Sequence, residues 1–253
     1  MADKNSTRKP VNQLLIDKNV DSGLKFRIEE SYKTLRTNIM LSIIKSGCKT
    51  IVVSSSNTNE GKTTTSINLA ISLAQADQRV LIIDGDLRKP KIHHYFSISN
   101  APGLTNFLSE TANNKNADKT LLSKIIHPTE IDNLSVLTSG SITPNPAEIL
   151  GSELMSDFLK ELHKYFDYII IDTPPINLVS DALPIVRQSD GIIVVVKSKQ
   201  STHPELKKTI DALNFIDAKI LGFVVNFSEE KDGSYSKRYN KSKHYTSEYG
   251  YGY

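Results

Sequence analysis

The chain has 253 residues, with 31 Lys and Arg against 28 Asp and Glu, 38% hydrophobic residues and a single cysteine, Cys48. That length can bury a full α/β core, while one cysteine excludes a disulfide-stapled fold and a thiolate metal cluster, and a net charge of +3 is too small to argue for nucleic acid. Aliphatic runs such as Ile192 to Val196 fall far short of the ~20 residues of a spanning helix, and Met1 to Pro10 lacks the apolar stretch of a signal peptide, so a cytoplasmic location is expected.

Residues 1–23 are polar, carry no sustained hydrophobic period and read as a flexible arm. From Leu24 to about Ile44 the pattern changes. Ile28, Tyr32, Leu35, Ile39 and Ile43 recur at helical spacing, which predicts one long amphipathic helix. Cys48 follows, read as a small buried residue ahead of the first strand. Short aliphatic runs then alternate with helix-length stretches: Thr50–Ser54, Val80–Ile83, Leu134–Leu137, Tyr168–Ile171, Gly191–Val196 and Ile220–Asn226. Runs that are apolar on both faces and separated in this way require a mostly parallel central sheet with helices on both faces, here of about six strands. Glu110–Lys119, rich in Asn, Lys and Asp, and Ser139–Pro146, with two prolines, read as surface loops. The main domain is expected over residues 24–228. Beyond it, residues 229–253 hold six of the chain's 10 tyrosines (Tyr235, Tyr239, Tyr245, Tyr249, Tyr251 and Tyr253) among Ser, Lys, Asn, Gly and Glu. Such a segment has almost no aliphatic residue to bury and is expected to be disordered alone.

The first strand leads into Ser54-Ser55-Ser56-Asn57-Thr58-Asn59-Glu60-Gly61-Lys62-Thr63-Thr64, followed by the helical stretch Thr65–Ala76. A turn from strand to helix aims backbone N–H groups and the positive helix end at one point, where a polyphosphate can sit. Lys62 is placed to reach β- and γ-phosphates and the Thr63 hydroxyl to complete a Mg²⁺ shell. Ser56 occupies the first glycine position of GxxxxGK[ST]. Asn59 stands where a second glycine is common, and Asn tolerates left-handed backbone better than most residues. The expected nucleotide contacts are Asn59, Glu60, Gly61, Lys62, Thr63 and Thr64.

Two later strands end in carboxylates: Leu81-Ile82-Ile83-Asp84-Gly85-Asp86-Leu87-Arg88-Lys89-Pro90 and Tyr168-Ile169-Ile170-Ile171-Asp172-Thr173-Pro174-Pro175. In an open parallel sheet the carboxyl ends of the strands share one edge with the phosphate loop, so Asp84, Asp86 and Asp172 converge on it. There a carboxylate can hold Mg²⁺ or take a proton from a nucleophile. Alternatively, Asp84 or Asp172 caps the turn or helix that follows.

With these motifs in view the chain resembles the bacterial tyrosine kinases (BY-kinases), specifically the stand-alone cytoplasmic autokinases of capsular and exopolysaccharide synthesis. SSSNTNEGKTTT corresponds to Walker A, LIIDGDLRKP to Walker A′ and YIIIDTPP to Walker B, and the tyrosine-rich terminus completes the match. The resemblance implies a P-loop NTPase fold and ATP with Mg²⁺ as cofactors. Lys62 and Thr63 would bind phosphates and metal, with Asp86 and Asp172 as metal-shell carboxylates. Asp84 would be the base for the tyrosine proton, and Asn226 the adenine contact, with Phe227 in place of the basic residue often found next. The six terminal tyrosines would be the phosphoacceptors. Glu30-x-x-Lys33-x-x-Arg36 is similar to the family's E-x-x-R-x-x-R self-assembly helix with Lys for the first Arg, whereas the residues alone read as a solvated face with an i,i+3 ion pair. Also implied are a membrane-embedded polysaccharide co-polymerase that recruits and activates the chain at the inner face of the plasma membrane, a ring of subunits when dephosphorylated, further protein tyrosine substrates, and no nucleic acid.

Two other functions fit the same fold. One is a nucleotide-switch positioning or partitioning ATPase, whose phosphate loop typically carries an extra lysine that would fall at Asn57. The other is a non-catalytic scaffold whose nucleotide only stabilises a ring. The absent lysine and the clustered tyrosines favour the kinase.

Overall fold

All six aliphatic runs form strands, and they pair as their two-sided apolar character requires. The computed structural model describes residues 13–16, 20–113 and 120–228. In chain order the elements are α1 (Ser22–Ser42), β1 (Lys49–Ser55), α2 (Lys62–Ala74), β2 (Val80–Asp84), α3 (Ile92–Phe96), α4 (Leu104–Asn113), α5 (Thr120–Ile125), β3 (Ile126–Pro128), β4 (Leu134–Leu137), α6 (Pro146–Leu150), α7 (Glu153–Leu162), β5 (Tyr168–Asp172), α8 (Ala182–Arg187), β6 (Gly191–Lys197), α9 (His203–Phe215) and β7 (Ile220–Asn226). They make a seven-stranded sheet of order β3-β4-β2-β5-β1-β6-β7. Every pairing is parallel except that of β3 with β4. The extra strand β3 spans three residues, too few to show a period, and its terminal Pro128 suits a sheet edge.

The central strands feed two separate cores. Val52, Leu81, Ile83, Ile169 and Ile171 pack with residues of α7, α8 and α9. Ile51, Val53, Ile82 and Ile170 pack with residues of α1 and α2 on the other face. Alternation along a strand produces this division, and each fully buried Ile or Leu contributes about 1.5–3 kcal/mol. Register pairs Asp84 with Asp172 at the carboxyl ends of β2 and β5. A one-residue slip of β5 would turn Asp172 to the opposite core, so apolar burial fixes where the charges sit.

The first helix runs Ser22–Ser42, two residues earlier at each end than its apolar spacing predicts, because Asp21 caps it by accepting the Leu24 N–H at 2.9 Å. The polar stretch from Glu110 is not a loop from its start: α4 continues through Asn113. Leu104 and Leu108 are both buried one turn apart, and the Phe107 ring stacks on Phe158 at 4.8 Å between centroids, which carries the helix on through polar letters. Residues 114–119 lie outside the described residues. Ser139–Asn145 is irregular, and Pro146 opens α6 at a first-turn position where its missing N–H costs nothing. Cys48 is buried and free, its thiol pushed up to about 12 by burial. Among the described residues no helix is long and apolar enough to cross a membrane. The six terminal tyrosines lie outside the described residues.

Candidate active site

The phosphate loop leaves the middle of the sheet between β1 and α2. Asn59 and Gly61 both adopt left-handed backbone, with φ of 62° and 89°. Asn59 therefore uses the conformational tolerance that its residue type predicts. At Gly61 a second constraint acts, since an added Cβ would lie 2.4 Å from Asn226 Nδ2. Gly61→Ala is expected to cost about 1–2 kcal/mol through backbone strain alone and to displace Asn226 as well. Urea denaturation reads the first effect and nucleotide titration the second; unchanged values in both would show that the loop tolerates a side chain there.

Lys62 opens α2 and points across the sheet edge. Its Nζ lies 3.1 Å from Asp86 Oδ2 and 3.5 Å from Asp172 Oδ2. Burial works against the ammonium, but the charges of Asp172 and then Asp86 outweigh it and raise the Lys62 pKa. The Thr63 hydroxyl donates to Asp172 Oδ2 at 2.7 Å. Ser66, one turn further along α2, places its hydroxyl 3.0 Å from Asp172 Oδ1 and 2.9 Å from the Lys62 carbonyl. Burial raises the Asp172 pKa, and Lys62, Thr63 and Ser66 only partly oppose it.

Asp84 anchors the turn that follows its strand. Its Oδ2 accepts the N–H groups of Lys91 and Ile92, both at 2.9 Å, which anchors the start of α3. Among the described residues Oδ1 takes only the Asp86 N–H, at 3.3 Å. Burial, followed by the adjacent charge of Asp172, pushes the Asp84 carboxyl up to about 7. Gly85 lets the chain pass Asp172 closely, since a Cβ there would lie 2.8 Å from its carbonyl oxygen. Asp86 Oδ1 accepts the Lys89 N–H at 3.0 Å, folding the loop back on itself. Arg88 then ties this loop to the segment before α8 through Asp181, at 2.5 and 3.0 Å.

Glu60 takes a bracing position. Its buried carboxylate accepts the Asn57 N–H at 2.8 Å and the Ser201 hydroxyl, joining the loop to the turn after β6. Asn226, at the end of β7, donates from Nδ2 to the Glu60 carbonyl (2.9 Å) and to Thr65 Oγ1 (3.1 Å). Ser56, in place of the usual glycine, is buried and receives the Thr209 hydroxyl of α9 at 2.9 Å. Ser66, Asp181, Ser201 and Thr209 are absent from the expectations above. Only Ser66 had a local signal, a hydroxyl one helical turn beyond Thr63; the others lie more than 90 residues from their partners.

On α1, Lys33 Nζ pairs with Glu30 Oε1 at 2.7 Å on an exposed face. Arg36 turns inward and donates to the Ser72 carbonyl of α2 at 2.6 Å. The three residues therefore divide between a surface pair and an internal strut.

The oxygen set of Thr63, Asp86 and Asp172 suits a nucleotide-bound Mg²⁺, a hard cation that takes one or two carboxylates and completes its shell with phosphate and water. A cation beside three carboxylates, at the mouth of a loop-to-helix turn, can stabilise charge that develops on a terminal phosphate.

A family profile described as an AAA domain matches residues 48–221. The chain is 43% identical over 201 residues to the tyrosine-protein kinase CpsD of Streptococcus pneumoniae serotype 4, covering 79% of this chain and 84% of that protein. It is 36% identical over 222 residues to the tyrosine-protein kinase YwqD of Bacillus subtilis, covering 88% and 85%. Among solved structures, the kinase domain of the Escherichia coli tyrosine kinase ETK matches with a TM-score of 0.76 at 28% identity, over 91% of this chain and 86% of that one. The chimerical protein CapA2B2 matches at 0.74 and 33%, over 87% and 93%. The Pyrococcus furiosus cell division ATPase MinD matches at 0.58 and 26%, over 73% and 74%.

Proposed function

This chain belongs to the bacterial tyrosine kinases of P-loop NTPase fold, and from that premise we propose how its residues carry the activity. It is a protein-tyrosine kinase that binds nucleotide at the β1–α2 loop. The observation that carries the assignment of parts is Lys62 held between Asp86 and Asp172, at the carboxyl edge of the sheet and against the phosphate loop. On nucleotide binding Lys62 exchanges carboxylate contacts for phosphate oxygens and stabilises charge on the transferring γ-phosphoryl group. Mg²⁺ held by Thr63, Asp86 and Asp172 would neutralise charge on the phosphates. Asp84, with Oδ1 bearing one long contact and its pKa near neutrality, takes the proton of the attacking tyrosine hydroxyl. Asn226 reads adenine. The positioning-ATPase alternative has weaker support, since the MinD likeness falls below both kinase likenesses in TM-score, 0.58 against 0.74 and 0.76.

The acceptors are Tyr235, Tyr239, Tyr245, Tyr249, Tyr251 and Tyr253, presented to a neighbouring subunit in a ring. The exposed Glu30 and Lys33 face of α1 serves that assembly, with Arg36 fixing α1 to α2. Each added phosphate brings about −1.5 to −2 charges, which weakens docking beside three aspartates and loosens the ring. A membrane-embedded polysaccharide co-polymerase acts as recruiter and activator in capsular or exopolysaccharide synthesis, an arrangement supported by the likeness to a chimerical CapA2B2 protein. The test mixes a full-length Lys62→Met chain with an active chain truncated after Ser228, in Mg-ATP. Phosphotyrosine on the Lys62→Met chain is the expected result. An unlabelled Lys62→Met chain, beside a wild-type chain that labels itself, would replace transfer between subunits by transfer within one.

A further inference from the structure

The end of β7 carries an aromatic residue that phosphoryl transfer does not itself require. Phe227 follows Asn226 directly and holds left-handed backbone, with φ of 55°, a conformation that is costly for any residue with a Cβ. It is 64% exposed, so burial of the ring recovers little of that cost. The ring is nonetheless fixed in place. The Lys197 ammonium, at the end of β6, stands over it 4.7 Å from the centroid. Its Cε2 lies 3.7 Å from the point where a Gly61 side chain would begin. Lys197 pairs in register with Asn226, so the cation, the ring and the Asn226 amide meet beside the phosphate loop. With the cation on one face, the exposure of Phe227 leaves the other face available to a ligand.

Asn226 presents a single kind of atom to this place. Both hydrogens of its amide are committed, Nδ2 donating to the Glu60 carbonyl at 2.9 Å and to Thr65 Oγ1 at 3.1 Å. A carbonyl can only accept, so the amide nitrogen has to face Glu60 and Oδ1 has to face away from it. Among the described residues Oδ1 accepts no hydrogen bond. The frame around it is tied together, since the Ser198 N–H donates to the Asn226 carbonyl at 2.9 Å and the Ser201 hydroxyl to the Glu60 carboxylate. An acceptor held in this way pairs with an exocyclic amino group, such as the N6 amino group of adenine, and opposes the O6 of a 6-oxopurine.

We propose that Phe227 is the stacking platform for the purine, and that Glu60 and Thr65 hold Asn226 with its acceptor outward, so that the end of β7 selects a 6-aminopurine. The selection rests on Asn226 being the adenine contact. The test titrates full-length protein with Mg²⁺ and three diphosphates, which avoid turnover: ADP, inosine diphosphate with its 6-oxo group, and purine riboside diphosphate with no 6-substituent. Wild type should bind purine riboside diphosphate about fivefold, and inosine diphosphate at least about tenfold, more weakly than ADP, the effects of one lost hydrogen bond and of two opposed acceptors. Phe227→Leu keeps an apolar side chain without the aromatic face and should weaken all three by at least about fivefold with their ratios unchanged, whereas Phe227→Tyr should bind as wild type does. Asn226→Ala should bring the three within about twofold of one another, a loss of ratio that mere loosening of the loop would not produce. Unchanged affinities in Phe227→Leu, or an equal loss in Phe227→Tyr, would remove the ring from the site and leave the Asn226 assignment standing. Ratios that persist in Asn226→Ala would overturn the adenine assignment, and the selection with it. A wild type that binds the three alike, or inosine diphosphate best, would show that Asn226 does not present its acceptor.

Discussion

Lys62→Met is expected to lower tyrosine phosphorylation by at least about 10²–10³-fold, the range for removing one group aimed at developing charge, while the chain still folds. Methionine keeps most of the bulk of the side chain and deletes the cation. The same substitution should alter stability in a pH-dependent way. Asp172 is raised by burial and partly held down by Lys62, so without the ammonium its pKa rises further. A carboxylate whose folded pKa lies above its unfolded value adds stability below the unfolded pKa and loses it as pH rises through the folded one. The variant should therefore match the wild type most closely near the ordinary carboxylate value of 3.8 and fall behind progressively as pH rises above it. Thermal unfolding across that range measures it. A gap that does not widen would mean that Lys62 is not what compensates the buried carboxylates, and a variant with full activity would remove it from the catalytic set.

Much of this site is legible in the sequence because the sheet brings strand ends to one edge. Aliphatic runs ending in Asp84 and Asp172 can pair in a covered parallel sheet only with those carboxylates near the phosphate loop, and the register does pair them. The backbone at Asn59 was legible for a local reason, the tolerance of Asn for left-handed φ. What escaped was long-range and polar. Nothing near Arg88 indicates that Asp181 will grip it, and nothing near Glu60 indicates Ser201. Polar pairing across loops has no period, so it appears only when the fold is assembled. Residues 14–16 misled for a related reason: three apolar letters are too few to show a period, and it is one buried amide, Asn68, that holds their backbone. Arg36 shows the limit of a motif, since its spacing suggests a surface role while its guanidinium braces α2 from within the chain.

Asp84→Asn should separate proton transfer from nucleotide binding. Its amide oxygen can still accept the Lys91 and Ile92 N–H groups, so α3 stays anchored, whereas Asp84→Ala leaves both donors without a partner. Transfer should fall by about 10²–10⁴-fold, the usual contribution of a positioned base, with nucleotide affinity retained. With the Asp84 carboxyl pushed up to about 7, the wild-type rate should climb as pH rises through that value and then level off, and the residual rate of Asp84→Asn should not follow it. Stability provides an independent check. The raised carboxyl favours the folded state at pH values below its ordinary 3.8, and that contribution is lost as pH rises through about 7. The amide of the Asp84→Asn variant has no such proton to lose, so the stability of the variant relative to the wild type should improve between pH 5 and pH 8. Asp86→Asn should behave differently, raising the Mg²⁺ concentration needed for activity because it removes a carboxylate from the metal's oxygen set. Isothermal titration with a non-hydrolysable nucleotide, run beside the pH–rate profiles, distinguishes the two. Equal loss of nucleotide binding in both variants, or an Asp84→Asn enzyme that keeps the wild-type pH profile, would overturn the division of labour between the two aspartates.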